Sequence, residues 1–345
     1  MNTNRPILEC VPNFSEGRDE KTLAAIAASI QSVPGVMLLH TDSSPAANRT
    51  VMTFAGEPEA VIEAAFLAIK TAAELIDMRC QTGVHPRIGS TDVCPLVPLY
   101  NMTMAEAVGH SHALGKRVGR ELGIPVYMYE HSAAGEHRRA LPDIRRGQYE
   151  GFAEKIRLAN WTPDYGSGNF TPHCGATVIG ARDVLVAFNI SLDTPEVEKA
   201  NYIAARIRER GYINLEGEEK VRVRGLLPKV RAIGWFMEDY QSAQVSMNLL
   251  DYKVSSPLQA FEACESLAHE IGVRLTGSEV IGLIPESCLL EAGSFACMRE
   301  QQEVPDDHQL LIHYAIELLG LNHLKPFEPQ EKVLEYALFQ AGLLS

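Results

Sequence analysis

The chain has 345 residues, of which 46% are hydrophobic and 22% are charged. That length exceeds a single core of ordinary size, so we expect two domains, and the apolar content excludes a disordered chain. The 44 acidic and 31 basic residues give a net charge of −13, which argues against nucleic acid or an anionic membrane surface as a partner. Without a signal-peptide pattern or an apolar run near the ~18 residues of a membrane span, we predict a cytoplasmic protein.

The seven cysteines are odd in number and form no CxxC pair. We therefore predict reduced thiols in apolar, core surroundings rather than a disulfide framework or a zinc ribbon. The histidines form no HExxH motif, so no metal is expected.

The first part of the chain alternates short apolar runs with helical patterns. Pro58 opens a helix in which Val61, Ala65, Ala68 and Ala72 share one face. The predicted order is β-α-β-β-α-β, with strands or helices at Ile7–Val11, Lys21–Ser32, Val36–His40, Thr50–Phe54, Pro58 onward and Val93–Leu99.

Three further segments follow this first unit. A capping box of Thr103 and Glu106 opens another helix, and Pro125–Tyr129 is predicted as a strand. The stretch Glu130–Gly180 is rich in Gly, Pro, His and Arg and has weak periodicity. Connections of that length are usually functional or disordered.

The second half repeats the order β-α-β-β-α-β, ending in two helices at Asp306–Gly320 and Glu328–Leu344. Ser256 and Gln259 form a second capping pattern within it. This order is the ferredoxin-like arrangement, with two helices on one face of a four-stranded antiparallel sheet. The predicted fold class is therefore α/β (α+β), with two tandem ferredoxin-like subdomains at residues 1–180 and 181–345.

The densest candidate for chemistry is the segment Gly83–Asp92, in which His85 lies between two glycines and beside Pro86. An imidazole titrates near neutrality and is the natural general base or acid. The alternative is a partly exposed loop histidine next to a turn-forming proline, and spacing alone does not decide between them.

A second candidate runs from Asp42 to Thr50 at the junction of two predicted strands. Arg49 offers a fork of N–H donors that matches a carboxylate, and Asp42 could orient a histidine. The alternative is a polar hairpin turn.

Two loops and one cluster complete the candidates. Val11–Arg18 joins a strand to a helix without the glycine spacing of a nucleotide site, and it is equally compatible with an ordinary capped turn. Gly166–Thr177 suits a slot lined by backbone, or a flexible linker. A basic cluster could attract a polyanion or simply be a solvated face; it comprises Lys220, Arg222, Arg224, Lys229 and Arg231.

Taken together, many motifs resemble the glutamate formimidoyltransferase family over roughly residues 6–340. They occur in the family's order with similar spacing, at Glu9–Gly17, Asn48–Val51, His85-Pro-Arg87, Asp92–Pro95, Arg139–Pro142, Trp161–Asp164, Gly175–Thr177, Gly180–Arg182, Gly234-Trp235 and Gln244–Asp251. The resemblance implies two ferredoxin-like subdomains with a ligand tunnel or cleft between them, and a homodimer.

The resemblance also implies a reaction. The family transfers the formimidoyl group of N-formimidoyl-L-glutamate to tetrahydrofolate, giving 5-formimidoyltetrahydrofolate and L-glutamate in histidine degradation. The catalytic histidine falls on His85, with a supporting acidic role for Asp42. Arg49, Asn48 and Arg87 are candidates for binding the glutamate substrate. The folate-binding stretch falls on Gly166, Ser167, Gly168, Asn169, Phe170, Thr171, Pro172, His173, Cys174 and Gly175.

The partners implied are N-formimidoyl-L-glutamate and tetrahydrofolate as co-substrate, which can carry a polyglutamate tail. A separate cyclodeaminase is expected to take the product. An alternative is an enzyme like 5-formyltetrahydrofolate cyclo-ligase, or another formyl-transferring folate enzyme, although no P-loop is present for ATP. A folate-binding protein without catalysis is the third reading.

Overall fold

The computed structural model describes residues 3–216 and 219–345. This part of the chain divides into two compact units. One contains the residues up to Asp183 together with Leu338–Ser345, and the other contains Val184–Ala337. Across the described residues, every helix is too short or too polar to span a bilayer.

The first unit contains a mixed sheet and helices. Its elements are β1 (Ile7–Cys10), β2 (Asn13–Phe14), α1 (Glu20–Gln31), β3 (Val36–Ser44), β4 (Arg49–Gly56), α2 (Pro58–Leu75), β5 (Thr91–Tyr100), α3 (Met104–Glu121), β6 (Val126–Met128), α4 (Glu136–Arg139), α5 (Leu141–Arg145), α6 (Phe152–Lys155) and β7 (Thr177–Ala181). Strands β3, β4, β1 and β5 lie side by side in that order and pair antiparallel. The short β2 also lies between β4 and β5, and β7 and β6 extend the sheet in parallel.

The helical pattern predicted from Pro58 is confirmed in α2. Pro58 occupies the first turn, where its missing N–H costs no hydrogen bond. The residues Val61, Ala65, Ala68 and Ala72 are all buried against the first core, beside Ile69. Burying a side chain the size of Val61 or Ile69 stabilises the fold by about 1.5–3 kcal/mol, and burying the single methyl group of an alanine stabilises it by about 0.8 kcal/mol.

The hairpin of β3 and β4 corrects one prediction. Asp42 lies in β3, opposite Val51 of β4, and not in a turn. The turn is shorter than predicted and ends at Asn48, whose φ is 47°. Because β3 pairs on one side only, polar residues at its outer edge are tolerated in a strand.

The segment 130–180 is more regular than its composition suggests. It contains α4, α5 and α6, and β7 enters the sheet between β5 and β6. Strand β7 was missed because it is only five residues long and contains Gly180, at which a Cβ atom would lie 2.4 Å from the carbonyl oxygen of Tyr129. A second small core forms here, in which Tyr127 and Phe152 pack edge to face.

The second unit has a four-stranded antiparallel sheet in the order β11–β12–β8–β13 and a separate hairpin of β9 and β10. Its elements are β8 (Val186–Leu192), α7 (Val197–Ile207), β9 (Tyr212–Glu216), β10 (Glu219–Val223), β11 (Val230–Met237), β12 (Ser242–Leu249), α8 (Pro257–Glu270), β13 (Leu275–Ile281), α9 (Glu286–Arg299), α10 (His308–Leu319) and α11 (Pro329–Lys332). Helix α12 (Leu334–Gln340) begins in this unit and ends in the residues assigned to the first unit. The repeated element order is present, with β9 and β10 inserted.

Both predicted capping boxes are confirmed. Thr103 and Glu106 bond reciprocally at the start of α3, and Ser256 and Gln259 do the same at α8. Helix α9 was missed, because its buried face is made of small and mixed residues rather than a clear apolar stripe. Gly293 lies on that face, where a Cβ atom would be 2.0 Å from the carbonyl oxygen of Leu311 in α10.

All seven cysteines are free thiols. Six are buried, as predicted, and the Sγ atoms of Cys10 and Cys94 lie 3.4 Å apart in the first core. The prediction is wrong for Cys80, which is exposed because it lies in the turn that follows α2.

Candidate functional site

A buried carboxylate organises the first unit near His85. Asp92, at the start of β5, is fully buried and accepts from Arg49 Nη1 at 2.8 Å and from the backbone N–H of Ile88 at 3.1 Å. Arg145 of α5 donates to the same carboxylate through Nε at 3.3 Å and through Nη2. Burial acts to raise the pKa of Asp92, but the charges of Arg145 and Arg49 outweigh it and leave the pKa below its ordinary value. Asp92 is therefore ionised.

Arg49 is held from two sides. Its Nε and Nη2 donate to Asn13 Oδ1 at 3.1 and 2.8 Å, while Nη1 bonds to Asp92. Burial lowers the pKa of Arg49 to about 10, and the charge of Asp92 opposes that change. Arg49 therefore keeps its positive charge at neutral pH.

His85 lies in the loop between α2 and β5 and is half-buried. Its Nδ1 is 2.8 Å from the carbonyl oxygen of Pro86, which can only accept, so Nδ1 carries the hydrogen. In the neutral ring, the other nitrogen, Nε2, then carries no hydrogen. Burial lowers the pKa of His85 well below its ordinary value, and the charges of Arg49 and Arg145 lower it further, while Asp92 opposes them. This histidine is neutral near pH 7 and suited to accept a proton at Nε2.

Asn48 connects three of the candidate segments. Its Oδ1 accepts from the N–H of Gly17 at 2.9 Å, and its Nδ2 donates to the carbonyl of Thr82 at 2.9 Å. Gln81 Nε2 in turn donates to the Asn48 carbonyl at 3.1 Å. The Val11–Arg18 loop, the β3–β4 turn and the loop that carries His85 are thus brought together, as the sequence could not show.

Arg87 is buried and already has protein partners. Its Nε donates to Gln81 Oε1 at 2.8 Å, and its two terminal nitrogens bond to the carboxylate of Glu150 at 3.0 and 2.7 Å. Glu150 is 62% exposed. A substrate carboxylate at Arg87 would therefore have to replace Glu150, which can move into solvent. The substrate role of Arg87 stays a prediction.

The predicted folate-binding stretch lies against the His85 loop. Gly89 and Gly175 form an antiparallel bridge, Ser90 N–H donates to the Cys174 carbonyl at 2.9 Å, and Ala176 N–H donates to the Ile88 carbonyl at 3.1 Å. The ring of Phe170 in this stretch lies 5.4 Å from that of Tyr149. Two segments that the sequence separates by about eighty positions therefore meet.

The rest of this stretch is tied to its surroundings by both backbone and side chains. The His173 carbonyl accepts from Met78 N–H at 2.7 Å, and the Pro172 carbonyl accepts from Tyr149 Oη at 2.6 Å. His173 Nδ1 is 3.6 Å from Asp77 Oδ2, and Ser167 Oγ donates to the Asn169 carbonyl at 3.3 Å. The stretch is therefore a loop held at several points, with open space beside Gly168, where a Cβ atom would meet nothing within 4 Å.

The close approach at Gly175 yields a stability prediction. Gly175 has φ = +70°, and a Cβ atom there would lie 2.2 Å from the Ile88 carbonyl oxygen. We expect Gly175→Ala to lower the free energy of unfolding by about 1–3 kcal/mol, because the backbone conformation and the contact are both unfavourable for alanine. The matched control is Gly168→Ala in the same loop, which should change stability by less than about 0.5 kcal/mol in urea denaturation. Equal losses in both variants would contradict the geometry.

Asp42 is half-buried in β3, and its proposed support of His85 stays a prediction.

The basic cluster lies in the second unit, on β10, on β11 and on the chain between them. Four of its members are exposed and Arg231 is half-buried, and Arg224 pairs with Glu209 at 3.1 Å. Among residues 3–216 and 219–345, no group of three or more His, Cys, Asp or Glu side chains is placed to hold a metal ion.

Sequence reasoning missed the residues around His85 that lie far away in the chain. Asp92 is the last residue of the Gly83–Asp92 segment, but nothing in the sequence of that segment shows that its side chain is buried between two guanidinium groups. Arg145 comes from the weakly periodic segment, 53 positions further along. A buried charge of that kind has no periodic signal, so only the structure reveals the pair.

Both units of the chain are similar to domains of known proteins. The model of the formiminotransferase domain, N-terminal subdomain, matches residues 7–182, and that of the formiminotransferase domain matches residues 187–339. A glutamate formimidoyltransferase of Streptococcus pyogenes is 42% identical over 84% of this chain and 92% of its own length. One of Thermoplasma acidophilum is 40% identical over 84% and 91%. The formimidoyltransferase-cyclodeaminase of Rattus norvegicus is 43% identical over 97% of this chain.

These relatives are transferases by name, and their likeness extends over both units. The chain belongs to the formiminotransferase family. It spans 60% of the length of the rat bifunctional protein.

Proposed function

We propose that the protein transfers the formimidoyl group of N-formimidoyl-L-glutamate to tetrahydrofolate, releasing L-glutamate and 5-formimidoyltetrahydrofolate in the degradation of histidine. The observation that carries the proposal is the neutral His85, whose Nδ1 donates to the Pro86 carbonyl and whose pKa lies well below its ordinary value, in a chain that is 42% identical to a glutamate formimidoyltransferase. Tetrahydrofolate acts as the second substrate.

The chemistry assigned to His85 is two proton transfers. His85 Nε2 accepts the proton that N5 of tetrahydrofolate loses as N5 bonds to the electrophilic formimidoyl carbon. The resulting imidazolium then returns that proton to the glutamate nitrogen as the bond between this nitrogen and the formimidoyl carbon breaks. Every proton removed in the first step is returned in the second, so no other reactant is needed.

The other candidate site residues are given the roles that suit the chemistry of their side chains. Asp42 supports the imidazolium, and the Gly166–Gly175 stretch, with its backbone amides and the ring of Phe170, lines the pterin. Arg49 and Arg87 bind the glutamate carboxylates, because guanidinium forks match them. Asn48 is the third residue assigned to the glutamate substrate. The basic cluster around Arg222 attracts a polyglutamate tail. No metal enters this scheme.

The architecture in the proposal is two ferredoxin-like subdomains in one chain, at residues 1–180 and 181–345, and two such chains form a cytoplasmic homodimer. If the four strands of a βαββαβ motif are counted 1 to 4 along the chain, a ferredoxin-like sheet has the spatial order 4-1-3-2 with all neighbours antiparallel. The orders β5–β1–β4–β3 in the first unit and β13–β8–β12–β11 in the second both have this form, which supports the ferredoxin-like classification. The cellular location rests on the sequence patterns, and the dimer rests on the family resemblance.

The test is an assay of glutamate release. The purified protein is incubated with N-formimidoyl-L-glutamate and tetrahydrofolate, with and without ATP, and in parallel with 5-formyltetrahydrofolate and ATP. We expect release that requires both substrates and is indifferent to ATP. Turnover of 5-formyltetrahydrofolate alone would favour the cyclo-ligase alternative, and folate binding without turnover would favour a binding protein.

Arg49 provides a prediction on substrate affinity. Arg49→Lys keeps a positive charge beside Asp92 but loses the fork that also reaches Asn13. We expect the KM for N-formimidoyl-L-glutamate to rise by roughly tenfold, equivalent to one charge-assisted hydrogen bond, with little change in the KM for tetrahydrofolate. Initial-rate kinetics with each substrate varied in turn check this. Equal effects on both KM values would remove Arg49 from a specific role with the glutamate substrate.

A further inference from the structure

Arg145 reaches the site from a helix of only five residues in a segment of weak sequence pattern, and it bonds to Asp92. We propose that Arg145 is a positioning residue that, through Asp92, fixes the His85 loop and sets the charge around its imidazole for proton transfer. The proposal rests on the proposed function of His85. It assigns Arg145 no contact with either substrate.

Asp92 joins the His85 loop to arginines from two other elements. Its carboxylate bonds to Arg49 at the start of β4, to Arg145 at the end of α5 and to the Ile88 N–H, three residues after His85. The Ile88 bond joins the His85 loop directly to the carboxylate. Because Asp92 is fully buried, water cannot replace a lost partner cheaply. The position of the loop therefore depends on both arginines.

Helix α5, which carries Arg145, is held firmly at its C-terminal end. The Nζ of Lys155 donates to the carbonyls of Asp143, Ile144 and Arg146 at 2.8, 2.6 and 3.1 Å. These are carbonyls at the end of a helix, which lack partners within it. The ammonium group of Lys155 also lies 3.8 Å from the centre of the Trp161 ring. The buried ammonium group of Lys155 thus fixes the end of α5, which carries Arg145.

The chain after α5 returns to the His85 loop. It turns through Gly147, at φ = 90°, and Gln148, at φ = 54°. The N–H of Tyr149 then donates to the carbonyl of Arg87 at 2.8 Å, and Glu150 binds the Arg87 side chain. The segment around Arg145 therefore contacts the His85 loop at Ile88 through Asp92 and again at Arg87.

Charged groups from three elements act on His85, namely Arg49 of β4, Arg145 of α5 and Asp92 of β5. Burial lowers the pKa of His85 most, the positive charges of Arg49 and Arg145 lower it further, and the negative charge of Asp92 opposes them. Removing the charge of Arg145 raises that pKa. His85 would then be protonated, and inactive as a base, at a higher pH than in the wild type.

The experiment compares the pH dependence of kcat/KM for formimidoyl transfer in the wild type, Arg145→Gln, Arg145→Lys and Arg146→Gln. Arg146 is the adjacent, exposed arginine and pairs with Asp143. We expect the acid limb to move up by about one pH unit in Arg145→Gln, the size of effect that a neighbouring charge has on a pKa. It should stay near the wild-type position in Arg145→Lys and in Arg146→Gln.

A merely structural role for Arg145 would lower kcat/KM at all pH values without moving the limb. An unmoved limb in Arg145→Gln, or an equal movement in Arg146→Gln, would overturn the proposal. Titration of the His85 imidazole by NMR, assigned by comparison with His85→Asn, provides the same pKa without any reaction. If the wild type shows no transfer, the proposed function fails, whereas the NMR titration still decides the effect of Arg145.

Discussion

Replacing His85 by asparagine is expected to lower kcat for formimidoyl transfer by about 10²- to 10⁴-fold, the usual contribution of a general acid–base group. Asparagine can still donate a hydrogen bond near the Pro86 carbonyl, but it cannot accept a proton in the pH range of the reaction. The Kd for tetrahydrofolate should change little, because the proposed folate contacts lie in the Gly166–Gly175 stretch. Steady-state kinetics and fluorescence binding measure the two quantities.

The matched control for that variant is His313→Asn. His313 is exposed on α10 of the second unit and has no part in the proposed chemistry. It should retain wild-type kcat. Turnover by His85→Asn within a few-fold of the wild type would remove His85 as the proton acceptor.

Replacing Asp92 by alanine is expected to cost about 3–5 kcal/mol in the free energy of unfolding, because it leaves two guanidinium groups in a buried region without their carboxylate. Arg49 is 8% exposed and Arg145 13%, so solvent can compensate only in part. The Ile88 N–H loses its acceptor as well. Urea denaturation of the purified variant measures the loss.

The control for Asp92→Ala is Asp183→Ala. Asp183 pairs with His131 at 3.1 Å on the surface, and its side chain is 67% exposed. An exposed pair of that kind contributes at most about 1 kcal/mol. If Asp92→Ala were no more destabilising than Asp183→Ala, the buried cluster would not hold the first unit together as described.

Local patterns in the sequence predicted much of the fold. The face of α2, the two capping boxes and the repeated element order all depend on neighbours three to four residues apart or on strand-length apolar runs. The errors occur where tertiary contacts override such patterns. Strand β7 is short and contains Gly180, and α9 buries small residues against α10. The strand position of Asp42 depends on pairing with β4.

In the candidate site, too, local sequence patterns predicted some residues, and contacts between distant residues were missed. His85, Asn48 and Arg49 belong to compact motifs, and the sequence singled them out. What connects them is long-range: Asn48 bonds to Gly17 and Thr82, and Arg145 bonds to Asp92. Such pairs have no spacing that a single sequence could display. The resemblance to a family supplied a reaction, whereas the structure supplied the partners of the histidine.

The most direct test of the account follows the formimidoyl carbon itself. N-Formimidoyl-L-glutamate carrying an isotopic label at that carbon is mixed with tetrahydrofolate and the purified protein, and NMR follows the label. We expect the label to appear on N5 of the folate in step with free glutamate, and to remain on glutamate with His85→Asn. A label that stays on glutamate with the wild-type protein, or that leaves as free formate or formamide, would contradict the account.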